Sequence, residues 1–576
     1  MREVANSAKN ANLGMNVPCV AGAMGLADVL EGVDKGGGIV LQKGQTPVRV
    51  ERMVGHLNRY PNQELAEFLY SGFKFGFHIP SHPLPVLEKR KNLRSALQFP
   101  DIVTGKLAKE VSLGRMDGPF VTSPISNLRV SPLGLIPKKE PNKFRLIHHL
   151  SFPKGASVNE GIDPELCSVV YASFDAAVEW VRKLGPGTLL AKCDIEAAFR
   201  LLPVHPDSLY LLGCFWNGAY FVDRCLPMGC SISCAYFERF SSFLEWVVVQ
   251  ESGCHSVIHY LDDFLCLGPG GSRVCSLLLS TLQSVFECFG VPLAVDKTVG
   301  PATELSFLGI VIDTQRMECR LPVDKVSDLR TEVAAALTAK KIRLRDLQSL
   351  LGKLNFACRI LPMGRIFSRR LASATGGVVS PHHFIRLGSE LKGDLKVWDS
   401  FLKQFNGRAL VMGGVVDAFD FELFTDAAGG AGFGAYCEGQ WCAGRWPESW
   451  VRKGWVKNVA LLELFPIVLA VTLWGEKFRH KKVRFHCDNL GVVQAINSVT
   501  ASSPPVICLL QQLVLRCLSL NAWVFAVHVP GSSNCIADAL SRFQWERFRQ
   551  LAPEASQVGL VCPESLWEIL EVMPRY

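Results

Sequence analysis

Residues 255–267 read HSVIHYLDDFLCL. Two short runs rich in β-branched, aromatic and aliphatic residues flank the adjacent acids Asp262 and Asp263, which predicts a β-hairpin with both carboxylates at its tight turn. Adjacent carboxylates repel each other unless a divalent cation lies between them. The pattern therefore indicates either a metal-binding hairpin or an ordinary solvated turn.

A third acid lies upstream. Residues 189–194 read LLAKCD, an apolar strand that ends in Asp194, and on a neighbouring strand this residue would meet Asp262. Two Mg²⁺ ions held by such acids would activate a primer 3′-hydroxyl and stabilise the pyrophosphate leaving group. The chemistry that these residues predict is nucleotidyl transfer.

This part of the chain resembles the reverse transcriptases. Four motifs occur in the family's order: Asp194, LPMG at 226–229, YLDD at 260–263 and FLG at 307–309. The resemblance implies that Asp194, Asp262 and Asp263 hold two Mg²⁺ ions, with Mn²⁺ as a substitute. It also places Phe307, Leu308 and Gly309 near the primer terminus, and it implies an RNA template, a DNA primer and dNTPs as partners.

The same resemblance assigns residues to the incoming nucleotide. Phe199 matches the aromatic steric gate, whose ring would clash with a ribose 2′-hydroxyl; a core Phe is the alternative. Lys143 and Arg145 lie in a basic turn like the fingers hairpin that covers the triphosphate, although a solvated hairpin would look similar. Met228, where many retroviral enzymes carry Gln, and Gly229 complete the predicted nucleotide contacts.

A second set of acids follows in the last third of the chain. Asp426 lies on a predicted strand, Glu463 inside an apolar helix, Asp488 after another strand and Asp538 near a helix start. An unpaired charge such as that of Glu463 is costly to bury, so four acids on adjoining elements indicate a metal site.

This order of acids resembles RNase H, and the resemblance extends over about 125 residues. It implies hydrolysis with two Mg²⁺ ions at Asp426, Glu463, Asp488 and Asp538. The expected substrate is the RNA strand of an RNA–DNA hybrid.

Basic residues lie on predicted helices between the two acid sets. A thumb that grips the phosphates of a duplex would use such residues, and a solvated helix face is the alternative. The residues predicted to contact nucleic acid here are Lys353, Arg365, Arg369 and Arg370.

The patterns predict an α+β multidomain protein: a right-hand polymerase with fingers, palm and thumb, followed by an α/β RNase H-like domain. We expect a loop-like or disordered segment over 1–45 and a small helical region over 46–115. The predicted fingers and palm span 116–315, the helical thumb or connection 316–412, the RNase H domain 413–545 and a C-terminal tail 546–576.

Composition agrees with a folded protein that binds a polyanion. The chain has 576 residues, 48% of them hydrophobic, and a formal net charge of +8, a modest basic bias. Its 20 cysteines are scattered without zinc-ligand spacing, which indicates reduced thiols. No signal peptide or membrane span is recognisable, so we expect an intracellular protein without a membrane partner.

The segments RLIHHLSFP at 145–153 and SVN at 157–159 resemble those of DIRS-type retrotransposons, which implies a separately encoded tyrosine recombinase. Two alternatives to an active reverse transcriptase remain at this point. One is a decayed or domesticated copy that binds nucleic acid without catalysis. The other is a template-independent or DNA-templated polymerase, which the palm motifs alone do not distinguish.

Overall fold

The structure is a computed structural model that describes residues 42–84, 91–138, 142–404, 408–410, 419–479, 481–520 and 522–568. The prediction of a loop-like segment over 1–45 falls, up to residue 41, outside these residues. Within them, no helix is both long enough and apolar enough to cross a bilayer, and each cysteine carries a free thiol.

Short helices form the region before the first sheet. Asn62 caps the second of them by accepting the backbone N–H of Leu65 at 2.9 Å, and Gly76 ends it with φ of 104°. The helices are α1 (Val50–Leu57), α2 (Gln63–Phe75), α3 (Arg94–Gln98) and α4 (Pro100–Ser112).

The next segment is an α+β unit built around a four-stranded sheet. Its elements are β1 (Met116–Phe120), β2 (Leu133–Pro137), β3 (Phe144–His148), α5 (Phe174–Leu184), β4 (Leu189–Asp194), β5 (Gly213–Trp216), β6 (Ala219–Asp223), α6 (Ile232–Ser252), β7 (Val257–Tyr260), β8 (Asp263–Gly268), α7 (Val274–Phe289), β9 (Val299–Ala302), β10 (Glu304–Phe307) and β11 (Ile310–Asp313). The central sheet, which we call the palm sheet, has the order β7-β8-β4-β9. Strands β2 and β3 form a separate antiparallel hairpin.

Helices α6 and α7 cover the palm sheet because their apolar faces share a core with its strands. Phe240 and Phe286 of these helices and Phe264 of β8 are fully buried in this core. Helices α1 and α2 contribute to the same core through Met53 and Leu69. Helices α1 and α2 are therefore packed onto the palm, whereas α3 and α4 share a separate core with β1, β2, β5 and β6.

The connecting region is mainly helical, with short strands between the helices. Its elements are β12 (Glu318–Arg320), α8 (Val323–Thr338), β13 (Lys341–Arg343), α9 (Leu344–Ala357), α10 (Arg365–Ser373), β14 (Phe384–Arg386), α11 (Ser389–Gln404) and β15 (Arg408–Leu410). Strand β12 continues the antiparallel sheet of β10 and β11, so the boundary predicted at 315 falls inside a sheet.

The last unit is a five-stranded mixed sheet with helices on both faces. Its elements are β16 (Phe421–Ala428), β17 (Gly432–Cys437), β18 (Gln440–Arg445), α12 (Glu448–Arg452), α13 (Val459–Leu473), α14 (Gly475–Phe478), β19 (Lys482–Cys487), α15 (Leu490–Ser498), α16 (Pro504–Leu520), β20 (Trp523–His528), α17 (Cys535–Ser541), α18 (Trp545–Leu551) and α19 (Glu564–Trp567). The strand order is β18-β17-β16-β19-β20. Strands β16, β19 and β20 run parallel, whereas β17 and β18 are antiparallel to their neighbours.

Within the segment predicted as a C-terminal tail, residues 546–568 pack against this last sheet. Leu560 forms a β-bridge with Cys442 of β18. The Trp567 ring stacks on Phe465 of α13 with centroids 4.7 Å apart, and Leu566 is fully buried. The apolar residues of this segment gain burial only on the folded sheet, which the sequence pattern did not reveal.

Candidate active sites

Three carboxylates meet at one end of the palm sheet. Strands β4 and β8 run antiparallel with Asp194 opposite Asp263. The Ile195 N–H donates to the carbonyl oxygen of Asp262 at 3.0 Å. Because Tyr260 pairs with Asp263, the hairpin closes through a two-residue turn. The structure thus brings together the three acids that the sequence analysis grouped, and we call them the palm acids.

The turn that carries Asp262 is strained. Leu261 has φ of 53°, in the left-handed region that costs an L-residue about 1–2 kcal/mol. Two-residue hairpins need positive φ at the first central position to match the strand twist. The hairpin thus holds an unfavourable residue conformation beside the acid, as often occurs at functional sites.

Burial and mutual repulsion disfavour the ionised forms of the palm acids. Burial, followed by the charges of Asp262 and Asp194, raises the pKa of Asp263 to about 6. Burial also raises the pKa of Asp262, and Asp194 adds to this effect. A cation among these oxygens would remove the repulsion.

Lys297 also belongs to this site, although no sequence pattern singles it out. Its Nζ lies 2.7 Å from Oδ1 of Asp194. The hydrogen bond to Asp194 raises the pKa of Lys297. The sequence alone does not reveal this contact, because it joins residues on separate elements.

The hairpin of β2 and β3 directs a basic residue toward the palm acids. Arg145 is exposed on β3, and its charge is close enough to Asp262 to oppose the rise of that residue's pKa. Lys143 lies next to the turn and accepts the Lys138 N–H through its carbonyl oxygen at 2.7 Å. The charge of Arg145, one of the two predicted phosphate contacts, therefore reaches the acids.

At Gly229, the loop at 226–229 lies close to the backbone of His148 at the end of β3. Gly229 has φ of 118°, and a Cβ there would lie 2.2 Å from the carbonyl oxygen of His148, so only glycine fits. Asn159 fixes the loop by donating to the Gly229 carbonyl oxygen at 2.8 Å and accepting the Ser231 N–H at 2.9 Å. Met228 is 36% exposed and is accessible to a ligand.

Phe199 lies on the 3₁₀ turn Ala198–Leu201, just after β4. Its ring packs edge-on against Phe237 of α6 with centroids 5.7 Å apart, and it is half-buried. The residue therefore combines a core contact with an accessible side, so both of its predicted roles are compatible with its position.

The predicted primer contact at 307–309 is only partly compatible with the structure. Phe307 pairs with Ile310, so Leu308 and Gly309 form a tight turn with φ of 47° and 76°. The Phe307 side chain is 1% exposed and packs in the core. The prediction is wrong for this side chain, because its apolar ring is more stable in the core, whereas the turn remains accessible.

The basic residues of the connecting region have different surroundings. Lys353 of α9 pairs with Glu332 of α8, and Arg365 and Arg369 are exposed on α10. Arg370 instead holds the buried carboxylate of Asp394 through bonds of 2.5 and 2.7 Å.

The phosphate contact predicted for Arg370 is therefore wrong in this structure. Its guanidinium also donates to the side chain of Gln511 on α16 at 3.2 Å. Asp394 is buried between the connecting helices and the last domain. Arg370 neutralises the charge of its carboxylate there.

The second acid cluster lies at the end of the parallel strands β16 and β19. Phe424 of β16 is in register with His486 of β19, so Asp426 and Asp488 lie level, two residues further along. Glu463 of α13 accepts the backbone N–H of Ala427. Ligand atoms of Glu463, Cys487 and Asp488 lie within 4.8 Å of one another.

We call Asp426, Glu463 and Asp488 the sheet acids, of which Asp426 and Glu463 are buried. Burial, together with the charges of Asp426 and Asp488, raises the pKa of Glu463 to about 9. Burial also raises the pKa of Asp426, even though Ser541 donates a hydrogen bond of 2.5 Å to its Oδ2. Oε2 of Glu463 is buried and has no hydrogen-bond partner among the described residues.

Asp538 is near the sheet acids, but its carboxylate is paired with two arginines. Its charge raises the pKa of Asp426, yet its two oxygens accept bonds from Arg542 at 2.6 Å and Arg547 at 2.7 Å. Burial acts to raise the pKa of Asp538, but these two arginines hold it below its usual value. The acid is recognisable from the sequence, whereas its pairing with two arginines four and nine residues further along appears only in the fold.

Two further residues support the sheet acids. Asn534 is fully buried and donates to the Thr425 carbonyl oxygen at 2.8 Å, which fixes the loop before α17 to the strand of Asp426. His528 lies 3.2 Å from the Asp488 carbonyl oxygen through its Nε2, consistent with a structural position.

Residues 136–312 match the model of the family described as reverse transcriptase (RNA-dependent DNA polymerase). The matched segment includes β3 and all three palm acids. These residues form a reverse transcriptase domain.

The chain is similar to viral polymerase proteins. Protein P of duck hepatitis B virus (strain China) is 27% identical over 164 residues, which are 28% of this chain and 20% of that protein. The Gag-Pro-Pol polyprotein of Human T-cell leukemia virus 3 (strain 2026ND) is 25% identical over 262 residues, 44% of this chain and 17% of the polyprotein. The matches span 20% or less of the length of these two relatives.

Solved structures of foamy viral enzymes align with most of the chain. The protease-reverse transcriptase dRH in complex with ds DNA gives a TM-score of 0.45 at 16% identity, over 87% of this chain and 85% of that chain. The protease-reverse transcriptase in complex with an RNA/DNA hybrid gives a TM-score of 0.45 at 15% identity, over 87% of this chain and 65% of that chain.

Proposed function

We propose that this protein is an RNA-directed DNA polymerase that also cleaves the RNA strand of an RNA–DNA hybrid. The observation that carries the polymerase activity is the meeting of Asp194, Asp262 and Asp263 within the segment that matches the reverse transcriptase family. The sheet acids, on a separate domain, support the nuclease activity. An RNA template, a DNA primer, dNTPs and the hybrid product are the partners that this function requires.

The donor sets of both clusters fit magnesium. Carboxylate oxygens are the ligands that Mg²⁺ prefers, and the buried Oε2 of Glu463 has no other partner among the described residues. When bound, two ions at each site would activate the attacking oxygen and stabilise the leaving oxygen; Mn²⁺ would substitute. The residues that would hold them are Asp194, Asp262 and Asp263 at the first site, and Asp426, Glu463, Asp488 and Asp538 at the second.

Residues around the palm acids have distinct tasks in polymerisation. Lys297 holds a proton 2.7 Å from Asp194, from where it can protonate the departing pyrophosphate. Arg145, together with Lys143, would bind the triphosphate of the incoming nucleotide. The ring of Phe199 would exclude a ribose 2′-hydroxyl and so select deoxynucleotides.

At the second site, Asp538 must exchange its arginine partners for a metal ion. Arg542 and Arg547 would then be released beside the acids, where a phosphate of the hybrid needs compensating charge. Leu308 and Gly309, together with Lys353, Arg365 and Arg369, would contact the duplex backbone independently of sequence.

A primed RNA template with dNTPs and Mg²⁺ tests both activities in the full chain. Asp262→Asn is expected to stop primer extension and to spare hybrid cleavage, whereas Asp488→Asn is expected to do the reverse. Asp346→Asn, an exposed acid on α9, should change neither activity. Loss of both activities in either active-site variant would contradict two independent sites.

The same assay distinguishes the alternatives. A catalytically decayed derivative would bind the primed template without extending it, but the presence of all seven carboxylates favours activity. Extension on DNA templates alone would indicate a DNA-templated polymerase; a nuclease domain acting on hybrids favours RNA.

We also propose that the chain comes from a DIRS-type retrotransposon and acts inside the cell, in the nucleus or cytoplasm. The motifs at 145–153 and 157–159 support this origin. A tyrosine recombinase gene beside the coding sequence would support it, and a different integrase gene there would contradict it.

A further inference from the structure

Two histidines that are far apart in sequence, and that belong to neither acid cluster, lie side by side. The rings of His78 and His205 have centroids 3.7 Å apart and planes inclined by 25°. Asp207 lies next to them, with its Oδ2 3.5 Å from Nδ1 of His205. One ligand atom from each of the three residues falls within 4.8 Å of the other two.

The backbone around these side chains is fixed by hydrogen bonds between the two segments. Phe77 and Val204 form a parallel β-bridge, in which the Phe77 N–H donates to Pro203 and the His205 N–H donates to Phe77. A Cβ at Gly76 would lie 2.5 Å from the His205 backbone, so the glycine permits this close approach.

Hydrogen bonds also fix the backbone of His78 and Ile79, which follow the bridge. The His78 carbonyl oxygen accepts a hydrogen bond of 2.9 Å from the Tyr236 hydroxyl. The Ile79 N–H donates to the buried Ser208 hydroxyl at 3.0 Å. The two histidines are therefore presented side by side by a fixed backbone, and only their side-chain torsions are free to adjust.

We propose that His78, His205 and Asp207 bind a zinc-type transition-metal dication, with water in the fourth position. Zinc bonds of about 2.0–2.1 Å in tetrahedral geometry place neighbouring ligand atoms roughly 3.4 Å apart. The 3.5 Å between His205 Nδ1 and Asp207 Oδ2 matches this separation. Two imidazoles and one carboxylate favour Zn²⁺, Co²⁺ or Ni²⁺ over Mg²⁺, which prefers oxygen ligands.

Small changes complete the site. Nδ1 of His205 now accepts the Asp207 N–H at 3.2 Å, a long contact that the ion would replace. His78 is exposed, so its ring can turn about its last torsion to direct a nitrogen at the ion.

The position of the site indicates what the ion would do. His78 precedes the segment that matches the reverse transcriptase family, whereas His205 and Asp207 lie inside it. An ion bound by all three would fasten the N-terminal helical region to the palm and would stabilise the folded state by mass action.

Metal analysis of the full chain tests the proposal. Protein stripped with a chelator is equilibrated with Zn²⁺ in excess Mg²⁺, and bound zinc is counted per chain. We expect the wild type to hold one more ion than the double variant His78→Gln, His205→Gln. His82→Gln, an exposed histidine of the same segment, should keep the wild-type count.

The single variant Asp207→Asn provides a second measurement, because this exposed carboxylate has no role in the core. Its zinc dissociation constant should rise by at least about 10-fold. Zinc should raise the melting temperature of the wild type more than that of the double variant. Equal zinc counts in the wild type and the double variant, with unchanged circular dichroism, would overturn the site, whatever the polymerase assay shows.

Discussion

Replacing Glu463 by Gln is expected to stabilise the metal-free protein increasingly as the pH rises. The pKa of Glu463 is raised from 4.5 to about 9 by burial and by the charges of Asp426 and Asp488. Between these two pH values the folded chain keeps a proton on this carboxyl group that the unfolded chain has lost. Folding stability therefore falls with rising pH over this range, and a Gln at 463 removes the effect.

The magnitude follows from the pH interval. Each pH unit between 4.5 and 9 changes the free energy of unfolding by about 1.36 kcal/mol for one such group. From pH 5 to pH 7 the variant should therefore gain about 2.7 kcal/mol relative to the wild type. For a domain of about 150–250 residues this corresponds to a relative rise in melting temperature of roughly 5–10 °C.

The assay is thermal melting of the full chain in EDTA at pH 5, 6 and 7. The measured quantity is the change with pH in the stability difference between variant and wild type. Any pH-independent cost of burying the Gln amide cancels in this comparison. Glu476→Gln is the matched control, because this glutamate of the same domain is exposed and paired with Arg479. Mg²⁺ should reverse the order, since the wild type gains a ligand that the variant lacks.

A melting difference between variant and wild type that stays constant from pH 5 to pH 7 would contradict the raised pKa of Glu463. It would mean that Glu463 is ionised in the folded protein, with water or a partner at its Oε2. Equal stabilisation of both proteins by Mg²⁺ would show that Glu463 is not a metal ligand.

Three further outcomes are expected. Glu238 and Glu245 bind the His259 ring and, against the effect of burial, raise its pKa to about 9; His259→Gln should therefore cost about 3 kcal/mol in melting experiments at pH 6, a loss that shrinks as the pH approaches 9. Lys297→Ala should slow single-nucleotide incorporation by about 100-fold, measured under single-turnover conditions, and Lys297→Arg should retain more activity. Arg370→Ala should destabilise the protein by about 3 kcal/mol, because it leaves a buried carboxylate unpaired. The salt dependence of its duplex affinity should equal that of the wild type. A weaker salt dependence in the variant would show that Arg370 contacts a phosphate after all.

Local patterns carried much of the information about the acids. The hairpin of β7 and β8 and the strand before Asp194 were readable because an apolar run that ends abruptly in acids is typical of a buried strand leading into a turn. Glu463 stood out for a similar reason, since a lone charge in an apolar helix requires a partner.

Residues that act through distant contacts were not readable. Arg370 looks like any other exposed helix arginine until Asp394 is placed beside it. Phe307 looks accessible within its motif, but in the fold its ring fills the core. The segment after 545 lacks a strong pattern of its own, and it packs because β18 and α13 offer it an apolar surface.

The order of residue types along each strand and helix was already enough to reveal two acid sets, because side-chain periodicity is a local property of the backbone. Which charges are neutralised, and by what, depends on the three-dimensional fold. Lys297 meets Asp194, Arg542 and Arg547 meet Asp538, and His78 meets His205. The energies of these contacts depend on distance in space and on burial, neither of which is encoded in the spacing along the chain.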